Sequence, residues 1–337
     1  MSEWRKPDYT KHLNGKVLFV TTEDKCYKIT TEGHQEVLEL QSTHEEADGR
    51  LFLHAAHAAQ TGYPAVVISS DDTDVFIMAL AFHTEIASKL FQKCGTKERK
   101  RIIDITKIAA SVGADVCHGL IGMHAYTGCD TVSTFAGKGK LGALKLLRSS
   151  KEVQETFAEL GQEWNVAEEL MDKLENFTCL LYASKCGTKE LNSLRYHLFC
   201  AKKGGIESHQ LPPCNDCFRK HVQRANYQAA IWKRSLQRHP MTPSPVGKGW
   251  KWDDQDGTTL AVDWMSGQPA PQALLDLLAC NCSRSCKLPS CVCIASGLKC
   301  TDMCKLAACD NQPLSVESDD DSLDEDDPSD EEQEYGF

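Results

Sequence analysis

The sequence predicts an α/β protein with a parallel sheet, continued by a helical extension and closed by a small cysteine-rich C-terminal module. Three observations carry this. The run Pro64–Ser69 (PAVVIS) is short, β-branched and continuous, as buried parallel strands are, and it lies between two segments of helical character. Residues 151–186, 189–203 and 217–237 hold helical patterns. Eight of the 17 cysteines fall between Cys280 and Cys309.

In chain order, Gly15–Thr22 and Cys26–Thr30 predict a hairpin, with Glu36–Leu40 as a third strand. Ser42–Gln60 predicts a helix capped by Ser42 or Thr43, with Ala47, Leu51, His54, Ala55 and Ala58 on one face and a stop at Gly62. Strand Pro64–Ser69 then meets Asp71-Asp72-Thr73-Asp74, and the apolar residues from Val75 continue as the next helix. Residues 99–113 predict a strand and a helix. An apolar helix from Cys117 ends in Thr127-Gly128-Cys129-Asp130, and the turn Gly137-Lys138-Gly139-Lys140 opens a helix from Leu141. His239–Trp250 is a Pro/Gly linker, followed by a short Trp-rich segment and the apolar stretch Ala270–Ala279. There is no internal repeat.

The 337 residues are 41 % hydrophobic and 25 % charged, ordinary for a globular chain. No apolar run approaches the ~20 residues that span a bilayer, and the first residues lack the apolar stretch of a signal peptide. The expected compartment is the nucleus or cytoplasm, with no membrane partner, where disulfides are rare. The net charge of −11 is concentrated: residues 315–337 hold 12 acidic side chains and no Lys or Arg, and without them the remainder is +1. Such a tail, residues 312–337, is expected to be disordered. It suits contact with basic chromatin proteins or screening of basic surfaces on the same chain. Ser318, Ser322 and Ser329 each have an acid three residues on, the pattern of acidophilic-kinase sites.

Glu46 and Asp48 fall on the first predicted helix, Asp72 and Asp74 at the end of the predicted strand, and Asp130 at the end of the apolar helix. Ligand sites in open α/β sheets collect at the carboxyl ends of strands. Carboxylates gathered there repel one another, so such clusters persist when a divalent cation such as Mg²⁺ or Mn²⁺ neutralises them. Each motif alone is commonly a solvated turn or a helix N-terminus favoured by the dipole.

In this order, however, Glu46-Ala47-Asp48, Asp71-Asp72-Thr73-Asp74 and Gly128-Cys129-Asp130 resemble the PIN-like nuclease superfamily, in particular its flap-endonuclease/XPG branch. The resemblance covers residues 40–150. It implies a PIN-like three-layer core over residues 1–150 and Mg²⁺- or Mn²⁺-dependent cleavage of DNA phosphodiesters, as an endonuclease or 5′-nuclease. Glu46, Asp48, Asp72, Asp74 and Asp130 would hold the metal, and Gly137, Lys138, Gly139 and Lys140 would grip a DNA phosphate. These nucleases take a further aspartate from a first strand. Before Glu46 the only aspartates are Asp8 and Asp24, and neither matches it, so the resemblance is to a truncated relative.

The cysteine spacing is C-x-C-x3-C-x4-C-x-C-x6-C-x3-C-x4-C, formed by Cys280, Cys282, Cys286, Cys291, Cys293, Cys300, Cys304 and Cys309. Eight thiolates suit two Cys₄ zinc sites or a cluster with bridging sulfurs; a disulfide knot is the alternative. The segment also resembles the tesmin-like CXC domain, with Gly297-Leu298-Lys299-Cys300-Thr301 and Cys309-Asp310-Asn311 as the closest matches. The resemblance implies DNA binding and three zinc ions on nine cysteines. Leu306 occupies the position of the ninth, so two or three ions are expected.

Cys214, Cys217 and His221 have C-x2-C-x3-H spacing, open to a further zinc site or to ordinary thiols. The basic residues of 217–238 suit either a DNA-facing surface or a solvated face. The expected organisation is the nuclease-related domain (1–150), a helical extension (151–238), a linker with the Trp-rich segment (239–279), the zinc module (280–311) and the acidic tail. The combination resembles mobile-element-derived animal proteins. It implies a nuclear zinc- and DNA-binding protein with a nuclease-like core. The alternatives are a catalytically inactive DNA-binding scaffold or chromatin regulator, and a zinc-stabilised interaction module without nucleic acid.

Overall fold

A computed structural model describes residues 6–96, 99–183, 187–201, 210–253, 256–267, 280–295, 300, 304–306 and 309–311. Ala270–Ala279, the acidic tail and most of Gly297–Thr301 lie outside the described residues. The chain divides into two compact units, one running to Trp264 and one beginning at Met265.

The first unit opens with an antiparallel sheet of β1 (Leu18–Thr22), β2 (Lys25–Ile29) and β3 (His34–Glu36), registered from Leu18 opposite Ile29 to Thr22 opposite Lys25. The third strand is earlier than expected. Leu38–Leu40 forms a 3₁₀ turn that buries Leu40 beside Cys26 and Val37. Helix α1 (Ala47–Gln60) also starts later than expected. Ser42 is buried and its hydroxyl accepts the His44 N–H, so it closes a turn rather than the helix. The buried face of α1 is Gly49, Phe52, Leu53 and Ala55, because Phe52 and Leu53 offer more apolar area than the alanines of the expected face.

A second sheet has the order β4-β5-β6: β4 (Ala65–Ser69) runs parallel to β5 (Lys89–Cys94), which pairs antiparallel with β6 (Arg101–Asp104). The sheet is therefore mixed rather than parallel. Among the described residues β4 pairs with β5 alone, and this explains why only Ile68 of β4 is buried while Val67 is 53 % exposed. The expectation of a fully buried strand is corrected accordingly. Helix α2 (Thr73–Ala81) makes the crossover from β4 to β5.

Helices α3 (Ile105–Val112) and α4 (Ala114–Thr127) follow; α4 is buried almost throughout and forms the axis of the core. Helices α5 (Lys140–Ser149), α6 (Lys151–Glu159), α7 (Glu168–Tyr182), α8 (Leu191–Ala201) and α9 (Asn215–Lys233) complete the unit, with a hairpin of β7 (Trp250–Trp252) and β8 (Leu260–Val262) formed by the Trp-rich segment. The approach of α6 to α4 needs glycine at 122, where a Cβ would stand 2.2 Å from the Phe157 carbonyl oxygen. Tyr126 sits among Phe135, Phe157, Phe177 and His221, and its buried hydroxyl meets Thr178 Oγ1 at 2.6 Å. This core fixes the end of α4, where the polar groups of the candidate site begin. Among the described residues no helix is long and apolar enough to cross a membrane.

Candidate acidic centre and cysteine cluster

Three segments deliver the acidic residues. Glu46 is the N-cap of α1 and Asp48 lies in its first turn. Asp72 caps α2, its Oδ1 accepting the Asp74 N–H at 2.8 Å. Asp130 is exposed on the tight turn closed by paired backbone bonds between Cys129 and Val132. Burial first, and then the charges of Asp72, Glu46, Asp74 and Asp130, push the Asp48 carboxyl up from its ordinary value. The five acids expected from the sequence therefore share one electrostatic neighbourhood. Asp71 turns away, and its Oδ1 accepts the Gly95 N–H. The acid oxygens are not closed around a point. Among the described residues, only cysteines form groups of three or more ligand atoms within 4.8 Å of one another.

Buried polar residues that the sequence patterns did not single out support the acids. His124 on α4 is 2 % exposed and its Nε2 meets Asp74 Oδ1 at 2.6 Å. Gln228 on α9 donates to Glu46 Oε1 at 3.4 Å and accepts from Thr131 Oγ1 at 2.8 Å, linking the first acid pair to the Asp130 turn. Gln92 on β5 donates to the carbonyls of Ser70 and Asp72 and so holds the loop after β4. A ring-bearing polar side chain within the apolar run of α4 was the one local signal for His124. Gln92 and Gln228 gave none, because their role depends on strand pairing and helix packing.

The Gly-Lys-Gly-Lys turn is present, with Gly137 at φ +66° and Gly139 as the N-cap of α5. The Lys138 ammonium stands over the Tyr182 ring, 4.9 Å from its centroid. Lys140 points toward His124 and Gly128.

In the second unit the eight cysteines gather in one cluster. Cys280, Cys286, Cys291 and Cys300 form one group of four thiols, and Cys280, Cys293, Cys300 and Cys304 form another. The two groups share Cys280 and Cys300. Sulfur separations are 3.7 Å for Cys280–Cys286, 4.0 Å for Cys280–Cys300, 3.9 Å for Cys291–Cys300 and 3.7 Å for Cys293–Cys304. A tetrahedral zinc with Zn–S bonds of ~2.3 Å sets its sulfurs about 3.8 Å apart, so these thiols fit a bound metal. Cys309 neighbours Cys286 and Cys300, and Cys282 neighbours Cys280, Cys286 and Cys291. The Ile294 backbone lowers Cys291 to about 7, which favours the thiolate a metal needs. Asn311 Nδ2 lies 3.2 Å from Cys300 Sγ, and the Cys300 N–H donates to the Asn311 carbonyl. Leu306 packs against the cluster.

Among the described residues the C-x2-C-x3-H group does not bring three ligand atoms within 4.8 Å of one another. Burial pushes His221 down to about 4, its Nε2 meets the Tyr126 carbonyl at 2.8 Å, and Nδ1 lies 3.5 Å from Ser133 Oγ. The basic residues of 217–238 are engaged within the chain. Arg219 pairs with Glu168 and Lys220 with Asp263; Arg224 is buried on the Gly249 and Asp263 carbonyls. Lys233, Arg234 and Arg238 donate to the carbonyls of Ala158, Gly161 and Leu38.

Compared with known proteins, the chain matches no family model, no curated protein and no solved structure.

Proposed function

We propose that the chain is a nuclear zinc- and DNA-binding protein whose first unit is a PIN-like core with a divalent-metal centre for phosphodiester cleavage. The observation that supports the catalytic part is that Asp48, beside its chain neighbour Glu46, lies in the field of Asp72 and Asp74 from a second segment and of Asp130 from a third. Bound Mg²⁺ or Mn²⁺ would supply a Lewis acid and an activated water. Glu46, Asp48, Asp72, Asp74 and Asp130 would hold the ion. His124 fixes one oxygen of Asp74, leaving Oδ2 for the metal, and the cap bond leaves Oδ2 of Asp72. A nucleic-acid backbone would approach from the exposed side of the Asp130 turn and the start of α5, where Gly137, Gly139 and Leu141 are exposed. The cysteine cluster fits zinc by its sulfur spacing; Cys280, Cys286, Cys291 and Cys300, or Cys280, Cys293, Cys300 and Cys304, would hold the ion.

The test is cleavage of labelled flap and single-stranded DNA in Mn²⁺. Wild-type protein is expected to cut above the Asp72→Asn/Asp74→Asn double variant; equal rates would rule out the enzyme. The acids' open spacing and the commitment of two oxygens to helix cap and imidazole favour a second reading, a catalytically inactive DNA-binding scaffold. That reading predicts no cleavage but a DNA gel shift that a chelator abolishes. No shift under either condition would leave a zinc-stabilised interaction module.

A further inference from the structure

Lys140 opens α5, and sequence alone places its ammonium among the phosphate contacts. Its surroundings point inward. Nζ donates to the Gly128 carbonyl at 2.6 Å and lies 2.8 Å from Nδ1 and 3.4 Å from Nε2 of His124. An ammonium in line with one ring nitrogen would stand much farther from the other, so these two distances place it against the imidazole. His124 Nε2 meets Asp74 Oδ1 at 2.6 Å, which requires a proton on Nε2 because the carboxylate accepts. Trp232 packs on the same ring with centroids 5.7 Å apart. The carbonyl that Lys140 grips belongs to a fixed point. Gly128 ends α4 at φ +116°, and a Cβ there would meet Thr134 Cγ2 at 2.4 Å. Asp130 lies two residues on. Burial lowers the Lys140 pKa while the Asp74 charge opposes the shift, so the ammonium also lies within reach of the acidic field.

We propose that Lys140 and His124 form an internal brace that holds Asp74 and the Gly128–Asp130 turn in register, acting as positioning residues for the acidic centre rather than as phosphate contacts. The proposal rests on the metal-binding reading of that centre. The physical need is plain. Carboxylates on three segments repel, and each must be held by a neighbour if they are to meet one ion. The outer partners of metal-binding carboxylates and imidazoles are typically worth about ten- to a hundredfold in metal affinity.

Two measurements on the full zinc-loaded chain test this. Titration with Mn²⁺ alone, read by the electron paramagnetic signal of the free ion, gives affinity without any activity assay. His124→Ala is expected to weaken Mn²⁺ at least about tenfold, and Lys140→Met less, because loss of the ammonium also removes its repulsion of the ion. His124→Gln, which can still present an N–H to Asp74, recovers most of the loss. Imidazole ¹H–¹⁵N spectra are expected to show the Nε2–H tautomer of His124, with its resonance displaced in Lys140→Met. The Nδ1–H tautomer, or Mn²⁺ affinities unchanged in both variants, would overturn the brace while leaving the metal centre standing. A wild-type chain with the Nε2–H tautomer that binds no Mn²⁺ would overturn the acidic-centre reading, and the positioning role with it.

Discussion

The two candidate sites are built in opposite ways. The cysteine cluster draws eight sulfurs from 30 consecutive residues, and its own thiols are most of its buried interior. The acidic centre draws five carboxylates from segments up to 84 residues apart, held in place by a large apolar core and by buried polar residues on α4, α9 and β5. In the first case the candidate ligands are themselves the buried interior. In the second the fold comes first and the ligands are placed upon it. The difference teaches where each site is vulnerable: one to loss of metal, the other to loss of packing and of the polar residues behind the acids.

The largest effect tests this directly. Structural zinc contributes on the order of 10 kcal/mol to the folding of small thiolate modules. A chelator is therefore expected to unfold the second unit while the melting transition of the first stays where it was. Because Cys280 and Cys300 belong to both four-thiol groups, Cys300→Ser should disrupt both sites, whereas Cys304→Ser leaves Cys280, Cys286, Cys291 and Cys300 intact. Native mass spectrometry would then find less metal in Cys300→Ser than in Cys304→Ser. Equal metal loss would show that the thiols do not share ions in this way.

The contrast also explains what was legible in the sequence. Cysteine spacing is local, so all eight cysteines could be read directly, and the structure brings all eight together, six of them in the two four-thiol groups. The acids could be read because each sits at an element boundary whose position follows from periodicity: Asp72 before α2, Asp130 after α4. Their partners could not. Strand β5 was missed because Lys-Leu-Phe-Gln-Lys-Cys is too short and polar to stand out, and Gln92 went with it. The same limit applies to the basic residues of α9, whose pattern suited a charged outer face. Arg224 is instead among the largest fully buried side chains, satisfied by carbonyls contributed by the chain near Trp250 and Trp264.

His221 gives a middle-sized effect confined to the core. Its folded pKa lies at about 4, below the ordinary 6.5, because burial penalises the charged ring. The unfolded chain takes up a proton below pH 6.5 and the folded chain does not. The stability contributed by the neutral ring is thus complete above pH 6.5 and is lost as pH falls toward 4, by about 3 kcal/mol in total. Burial lowers His44 and His54 as well, so wild-type acid sensitivity is shared. The comparison with His221→Gln isolates the one residue. Urea midpoints should show the variant less stable at pH 7, with the gap narrowing toward pH 4.5. A gap independent of pH would show that His221 titrates normally.

The smallest expected effect bears on function most closely. Asp48 is raised by burial and by four neighbouring acids, so its charged form opposes folding when no cation is present. The sign is the reverse of the usual salt-bridged carboxylate. The penalty is complete at neutral pH and disappears as pH falls through the raised pKa toward the unfolded value. Asp48→Asn keeps the shape and removes the charge, so it should raise the metal-free melting temperature by roughly 2 °C, the direction common where an active-site charge is removed. Added Mn²⁺ should then raise the melting temperature of the wild type and leave Asp48→Asn unmoved, because binding to the folded state alone stabilises it. Asp71→Asn is the control: Asp71 is adjacent in sequence to the cluster but turned to the Gly95 N–H, so its response to Mn²⁺ should match the wild type. If Asp48→Asn is destabilising without metal, or if Mn²⁺ stabilises it as fully as the wild type, the five carboxylates are solvated neighbours and not a cation site.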